Sequence, residues 1–114
     1  MAKLNYVELP VGAVAPVRDF YAQAFGLSFT DYGPSYAANE GGDVALGLNG
    51  NEGGDAIPAI LPLFEVDDLE ATLAGVTAAG GEITVPIFAF PGGRRFHFRD
   101  PGGNVLGAFV NEPQ

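Results

Sequence analysis

The residues best suited to chemistry lie close together near the end of the chain, where Arg94, Arg95, His97 and Arg99 span six positions. Successive side chains of a strand point to opposite faces, so Arg95, His97 and Arg99 are expected on one face. Phe96 and Phe98 are expected on the other face, in the core against a helix. Histidine titrates near neutral pH, so His97 is suited to act as an acid, a base or a hydrogen-bonding group. The plainer alternative is a strand histidine that packs against its neighbours and bonds water.

Two further polar residues share one face of the first expected strand, where Tyr6 and Glu8 are two positions apart. A carboxylate buried beside His97 or Arg95 would have a shifted pKa and could act as a base. An ion pair between Glu8 and one of the arginines is an equally good interpretation. Tyr6 would either bond a ligand through its hydroxyl or fill space.

The composition of the chain excludes several classes of partner and site for these residues. The chain has 114 residues, 47% of them hydrophobic, which suits one globular domain. Its net charge is −9, with five Lys and Arg against fourteen Asp and Glu, so neither nucleic acid nor an anionic membrane is expected as a partner. Cysteine is absent, which excludes disulfides, thiolate metal sites and a cysteine nucleophile. Without a leader-like or membrane-spanning apolar run, a cytoplasmic protein is expected.

An internal repeat organises the elements that must position these residues. Val66-Asp67-Asp68-Leu69 through Gly80-Gly81 repeats the pattern of Val11 through Gly26. Each copy predicts a strand, a helix that ends at glycine, and three further strands. In the second copy Asp67, three residues before Glu70, is expected to cap the helix. We therefore predict one domain of two pseudo-repeats, 1–57 and 58–114, joined near 49–55. The fold class is α+β, with tandem βαβββ modules forming a curved, mainly antiparallel sheet and helices on its outer face. The predicted strands are 4–9, 27–32, 36–39, 44–48, 60–66, 82–90, 94–99 and 105–110.

The order of these motifs resembles the vicinal oxygen chelate superfamily, which includes glyoxalase I, bleomycin-resistance proteins and extradiol dioxygenases. The resemblance spans nearly the whole chain and rests mainly on a helix motif and a turn motif, with support from the motifs of the second repeat. These stretches are Arg18-Asp19-Phe20-Tyr21, Phe25-Gly26, Val66-Asp67-Asp68-Leu69, Ala79-Gly80-Gly81 and Phe98-Arg99-Asp100-Pro101-Gly102-Gly103-Asn104-Val105. They mark the fold and leave the reaction open.

The resemblance also implies four metal-ligand positions, on the first and last strand of each half. Matching the motifs places Tyr6, Leu46, Leu61 and Gly107 there, and Leu and Gly carry no donor atom. Shifting the first strand by two residues would bring in Glu8, but its repeat partner would then be Leu63. We therefore predict that the chain binds no metal and needs no cofactor.

The leading functional hypothesis is a protein that binds a small, partly apolar molecule in the sheet cleft without a metal. The expected ligand-binding residues are Tyr6, Glu8, Leu46, Leu61, Leu63, Arg95, His97 and Phe109. The alternative is a metal-independent lyase or isomerase that uses Glu8 or His97 as acid or base. A third class, an interaction module, would suit a cleft filled by side chains.

The remaining expectations concern assembly and the first half of the chain. The resemblance implies a homodimer, whose clefts would lie within one chain or be built from two. Tyr32 and Tyr36 flank the Gly33-Pro34 turn and would form either a lid or ordinary loop contacts.

Overall fold

The repeated order of elements predicted from the sequence is present in the structure, a computed structural model that describes residues 2–51 and 57–112. Within these residues each half contains one helix and four strands, so the α+β class is confirmed. The elements are β1 (Lys3–Pro10), α1 (Val14–Phe25), β2 (Thr30–Asp31), β3 (Tyr36–Asn39), β4 (Ala45–Asn49), β5 (Leu61–Glu65), α2 (Leu69–Ala78), β6 (Glu82–Phe90), β7 (Gly93–Arg99) and β8 (Val105–Asn111).

The chain divides into two compact units, Asn5–Leu61 and Pro62–Gln114 together with Met1–Leu4. The predicted halves 1–57 and 58–114 differ from these units by a few residues at the joint and by the assignment of the first four residues; that the two form one domain stays a prediction. In the first unit the strand order is β2-β3-β4-β1, and in the second it is β5-β8-β7-β6.

Strand direction follows the same rule in both units. β2 with β3 and β3 with β4 are antiparallel, whereas β1 with β4 is parallel. β6 with β7 and β7 with β8 are likewise antiparallel, and β5 with β8 is parallel. Each parallel pair is linked through a helix, as parallel neighbours require. The prediction of a mainly antiparallel arrangement is confirmed within each unit.

Helix α1 covers one face of the first unit. Val14 packs with Ala37 of β3 and Leu48 of β4, and Leu46 joins this core from the same face. The helix ends where Gly26 adopts a left-handed conformation, with φ of 69°, and donates its amide to the carbonyl of Ala22. That cap agrees with the prediction made from the glycine.

Helix α2 covers one face of the second unit in the same way. Leu69 packs with Phe96, Ala108 and Val110, while Phe98 lies against this core. The prediction that Phe96 and Phe98 face a helix is therefore confirmed. Burial of these side chains supplies the main driving force for docking the helix, at about 25 cal/mol per Å² of apolar surface.

Two local features differ from the predictions. The strand expected at 27–32 shortens to β2, because the chain leaves the Gly26 cap through an irregular stretch. Asp68 rather than Asp67 caps α2, and its carboxylate accepts the amide of Ala71. The predicted joint, residues 49–55, lies partly outside the described residues. Neither described helix is long and apolar enough to cross a membrane.

Candidate functional site

The face of the first unit opposite α1 carries a hydrogen-bonded group of polar side chains. Glu8 is completely buried, and its Oε1 accepts the Tyr36 hydroxyl at 2.8 Å. Its Oε2 accepts Nδ2 of Asn49 at 3.1 Å. The hydroxyls of Tyr6 and Tyr36 lie 2.6 Å apart. We refer to Tyr6, Glu8, Tyr36 and Asn49 as the tyrosine–glutamate cluster.

Strand register explains why these residues meet. Glu8 of β1 pairs with Gly47 of β4, and Tyr36 of β3 pairs with Asn49 of the same strand. Because side chains alternate along a strand, Glu8, Tyr36 and Asn49 emerge on the face that Leu46 and Leu48 do not use. Residues 28 and 41 positions apart in the sequence thereby become hydrogen-bonding neighbours.

Gly47 provides the space in which the two tyrosine hydroxyls meet. A Cβ at this position would lie 2.2 Å from Oη of Tyr36 and 2.8 Å from Oη of Tyr6. Both distances are too short for non-bonded atoms, so any other residue would displace the tyrosines. The glycine is therefore part of the cluster's construction.

The amide of Asn49 is held at both ends. Its Nδ2 donates to Glu8, and its Oδ1 accepts the backbone amide of Asn51 at 2.7 Å. Asn51, which has φ of 60°, in turn bonds the backbone of Ile57 through both side-chain atoms at 2.9 Å. Reversal of the Asn49 amide would break two hydrogen bonds, so its orientation is fixed.

Within the tyrosine–glutamate cluster, the hydroxyl of Tyr36 keeps its proton at neutral pH. Burial, reinforced by the adjacent Glu8 carboxylate, raises the pKa of the Tyr36 hydroxyl far above its ordinary value of 10.0. Tyr36 therefore remains a hydrogen-bond donor throughout the physiological range. Glu8 accepts from two strong donors, which stabilises it as a hydrogen-bond acceptor.

The second unit carries a different group on the face opposite α2. Arg95 is 8% exposed, and its guanidinium carbon lies 5.4 Å from the ring centre of Phe88 and 5.9 Å from that of Phe90. His97 is 6% exposed and meets Phe88 edge to face, with ring centres 5.7 Å apart. We refer to Arg95, His97, Phe88 and Phe90 as the arginine–histidine cluster.

Irregular pairing of β6 creates this second group. The register with β7 shifts between Ile83 and Val85 and again between Val85 and Phe88, around Pro86. Proline cannot donate to a strand ladder and favours edges and bulges. After the second shift Phe88 stands opposite Arg95, so its ring reaches the guanidinium. The rings provide a cation–π environment for a buried charge.

The structure separates the eight predicted ligand-binding residues by unit and face. Tyr6 and Glu8 belong to the first unit, with Leu61 buried at its end, whereas Leu63, Arg95, His97 and Phe109 belong to the second. By alternation along β7 and β8, and by the contact of Leu63 with the space beside Gly107, these four share the face opposite α2. Contact of Glu8 with His97 or Arg95 stays a prediction.

Leu46 is placed differently from the expectation. Glu8 pairs with Gly47 and Leu63 pairs with Gly107, so Gly47 rather than Leu46 is the repeat counterpart of Gly107. Leu46 packs into the core beneath α1. The sequence alignment of the halves was wrong by one residue at this strand.

The side chains present do not fit the metal that the superfamily resemblance implies. At the positions related by the repeat, Glu8 offers a carboxylate, while Leu63, Gly47 and Gly107 offer no donor atom. Across residues 2–51 and 57–112, no group of three or more His, Cys, Asp or Glu is suitably placed for an ion.

Sequence reasoning missed Tyr36 and Asn49 as partners of Glu8, and Phe88 and Phe90 as partners of Arg95. Tyr36 was expected to form a lid or an ordinary loop contact, whereas from β3, the strand predicted at 36–39, its hydroxyl donates to Glu8. Asn49 lies two positions after Gly47 in the same strand, so the alternation of side chains could have placed Asn49 on the face of Gly47. Apart from Pro86, the sequence has no feature that would predict the shifted register of β6.

Comparison with known proteins agrees with this architecture. Residues 3–107 match the model of the Glyoxalase/Bleomycin resistance protein/Dioxygenase superfamily. No curated protein sequence matches the chain significantly.

Solved structures share the fold at low sequence identity. A structure titled NAD-dependent benzaldehyde dehydrogenase from Legionella pneumophila has a TM-score of 0.79 at 19% identity, over 95% of this chain and 99% of its own. Methylmalonyl-CoA epimerase from Mycobacterium tuberculosis has a TM-score of 0.77 at 15% identity, over 96% of this chain and 88% of its own. A superfamily member from Vibrio splendidus 12B01 reaches 0.69 at 14% identity, over 98% and 100%.

The match to the family model covers nearly all of the repeat, and the βαβββ order recurs in both units. The chain belongs to the glyoxalase/bleomycin resistance protein/dioxygenase superfamily.

Proposed function

We propose that this protein binds a small, partly apolar molecule through the sheet faces opposite its helices, without a metal ion. The observation that carries the proposal is the placement of charge on those faces. Glu8 is fully buried and accepts the Tyr36 hydroxyl, whereas Arg95 is nearly buried beside the rings of Phe88 and Phe90. Burying a charge is costly, so polar groups in an apolar setting are typical of ligand sites.

The two clusters differ in the kind of ligand group that each would suit. The tyrosine–glutamate cluster supplies hydroxyl and carboxylate oxygens, which suit polar hydrogen-bonding groups. The arginine–histidine cluster supplies a cation among rings, which suits an aromatic or anionic group. A molecule with an apolar body and a polar or anionic substituent suits either cluster taken by itself.

A thermal-shift screen with phenols and aromatic carboxylates tests the proposal. A compound at a hundredfold excess over its Kd stabilises the folded state by about 2.7 kcal/mol, which is a readily measured rise in Tm. We expect Arg95→Met to weaken binding of an aromatic carboxylate about tenfold. Arg99→Met is the matched control, because Arg99 lies on the same strand but pairs at the surface with Glu82.

A panel that leaves the Tm of the wild type unchanged would contradict the proposal. Equal losses in both arginine variants would show that the effect is one of net charge rather than of the site.

The enzymatic alternative, in which Glu8 or His97 acts as acid or base, stays a prediction. Both oxygens of Glu8 are engaged, one by the Tyr36 hydroxyl and the other by the Asn49 amide, so the geometry favours binding over proton transfer. His97→Ala separates the two functions: loss of turnover with binding intact would support catalysis, and weakened binding alone would support sequestration.

A further inference from the structure

Asn49 and Gly50 form the sequence pair in which an asparagine loses its side-chain amide most readily. The backbone nitrogen of Gly50 attacks Cγ of Asn49, and glycine hinders this attack least because it has no side chain. A C–N bond forms, the side-chain nitrogen leaves as ammonia with the proton of the Gly50 amide, and water opens the resulting cyclic imide to aspartate or isoaspartate. Of the six asparagines in the chain, Asn49 is the one that glycine follows.

The folded structure engages the attacking nitrogen. Gly50 donates its backbone N–H to the carbonyl of Ser35 at 2.8 Å, so this nitrogen is held towards the turn that precedes β3. Asn49 is the last residue of β4 and pairs with Tyr36, which keeps its backbone extended. Ring closure therefore requires the Gly50 nitrogen to give up its hydrogen bond and to turn towards the side chain of Asn49.

The side chain under attack is restrained as well. Nδ2 of Asn49 donates to Glu8 at 3.1 Å, and Oδ1 accepts the backbone amide of Asn51 at 2.7 Å. Asn49 is also buried, with 4% of its surface exposed. The two reacting groups can therefore meet only after the end of β4 opens, which is a local unfolding event.

The fold nevertheless requires both members of this reactive pair. Asn49 supplies an N–H donor to the buried carboxyl group of Glu8. Gly50 leaves room where other backbone segments come close, since a Cβ there would lie 3.1 Å from the carbonyl oxygen of Ser35 and 3.3 Å from that of Gly12. A less reactive sequence at these positions would give up either the donor or the space.

We propose that Asn49–Gly50 is a deamidation site that the folded structure keeps closed, so that Asn49 is converted to aspartate in chains that open at the end of β4. The conversion removes the N–H group that faces Oε2 of Glu8. Two carboxyl groups then meet in a buried place and are tolerated only with a proton between them, which disfavours refolding at neutral pH. The inference goes beyond the proposed function and does not rest on it, because none of its tests involves a ligand.

Peptide mass spectrometry measures the reaction at each asparagine, in folded protein and in protein unfolded by guanidinium chloride at the same mildly alkaline pH. We expect Asn49 to deamidate at least about tenfold more slowly in the folded protein, because the reaction waits for opening. In the unfolded protein Asn49 should react fastest of the six asparagines. Gly50→Ala is the matched variant in denaturant, where folding plays no part, and it should remove that excess rate.

The product of the reaction is tested with Asn49→Asp, for which Asn111→Asp is the matched control. Nδ2 of Asn111 donates to the Glu65 carboxylate at 2.9 Å, which is the same kind of contact at an exposed place in the second unit. We expect Asn49→Asp to lower the Tm by about 5–10 °C, because a buried hydrogen bond loses its donor. Asn111→Asp should change the Tm far less, because water solvates its carboxylate.

Three results would each overturn the inference. The first is equally fast deamidation of Asn49 in folded and unfolded protein, and the second is an unchanged rate in denatured Gly50→Ala. The third is a Tm of Asn49→Asp equal to that of the wild type. Failure of Asn49→Asp to fold, as judged by circular dichroism, while Asn111→Asp folds is the expected result in its strongest form.

Discussion

At the scale of single residues, two glycines make room for the side chains on the sheet face opposite each helix. Gly47 leaves the room that Tyr6 and Tyr36 occupy. Gly107, at the related position of the second unit, leaves room beside Leu63 and His97. The same glycine position thus supports a hydrogen-bonded group in one unit and an apolar contact in the other.

Gly47→Ala should disrupt the tyrosine–glutamate cluster. The added methyl would overlap the hydroxyls of Tyr6 and Tyr36. We therefore expect a loss of about 2 kcal/mol in the free energy of unfolding, together with weaker binding of phenols. Urea denaturation measures the first effect. Gly41→Ala is the control, since a Cβ there meets no atom within 4 Å. Equal stability of the two variants would show that the tyrosines move aside at no cost.

At the scale of elements, alternation along strands made part of the site predictable. The pattern of Arg95, His97 and the intervening phenylalanines correctly assigned Phe96 and Phe98 to the helix side. The partners of Glu8 were not predictable, because they lie on other strands and depend on register. Leu46 shows how sensitive register is, since an error of one residue moves a side chain to the opposite face.

Ion pairs at the second unit's surface join elements that also meet in its core. Arg94 of β7 bonds Glu112, just beyond β8, through Nε at 2.7 Å and Nη2 at 3.0 Å, and it also pairs with Glu70 of α2. These hydrogen bonds hold the pKa of both carboxyl groups below the ordinary value of 4.5. Ionised carboxylates therefore stabilise the folded state.

Removing this arginine should cost stability in a pH-dependent way. Because the folded-state pKa values are lowered, the stabilisation is present above about pH 4.5 and is lost as the pH falls through them. We expect Arg94→Met to lower the Tm at pH 7 and to have a much smaller effect at pH 2.5. Calorimetry of the variant and wild type at both values measures the difference. A deficit of the same size at both values would mean that lost packing of the arginine stem, rather than charge, is responsible.

At the scale of the whole molecule, the internal repeat carries the fold while its two copies have diverged in chemistry. The order βαβββ and a mainly antiparallel arrangement were predicted from spacing, glycine and proline, whereas the parallel pair in each unit was not. What occupies related positions is specific to each copy: Glu8 corresponds to Leu63, and Tyr36 corresponds to Arg95. The four positions expected to hold a metal offer no set of ligands, so the scaffold is recognisable while the chemistry must come from other residues.

The most direct test of this account is an NMR titration of the chelator-treated protein with 4-ethylphenol, followed by readdition of divalent ions. The account predicts saturable binding in the presence of the chelator, with shifts centred on Tyr6 and its neighbours and a Kd that Zn²⁺, Mn²⁺ or Ni²⁺ leaves unchanged. Binding that disappears with the chelator and returns with one of these ions would contradict it.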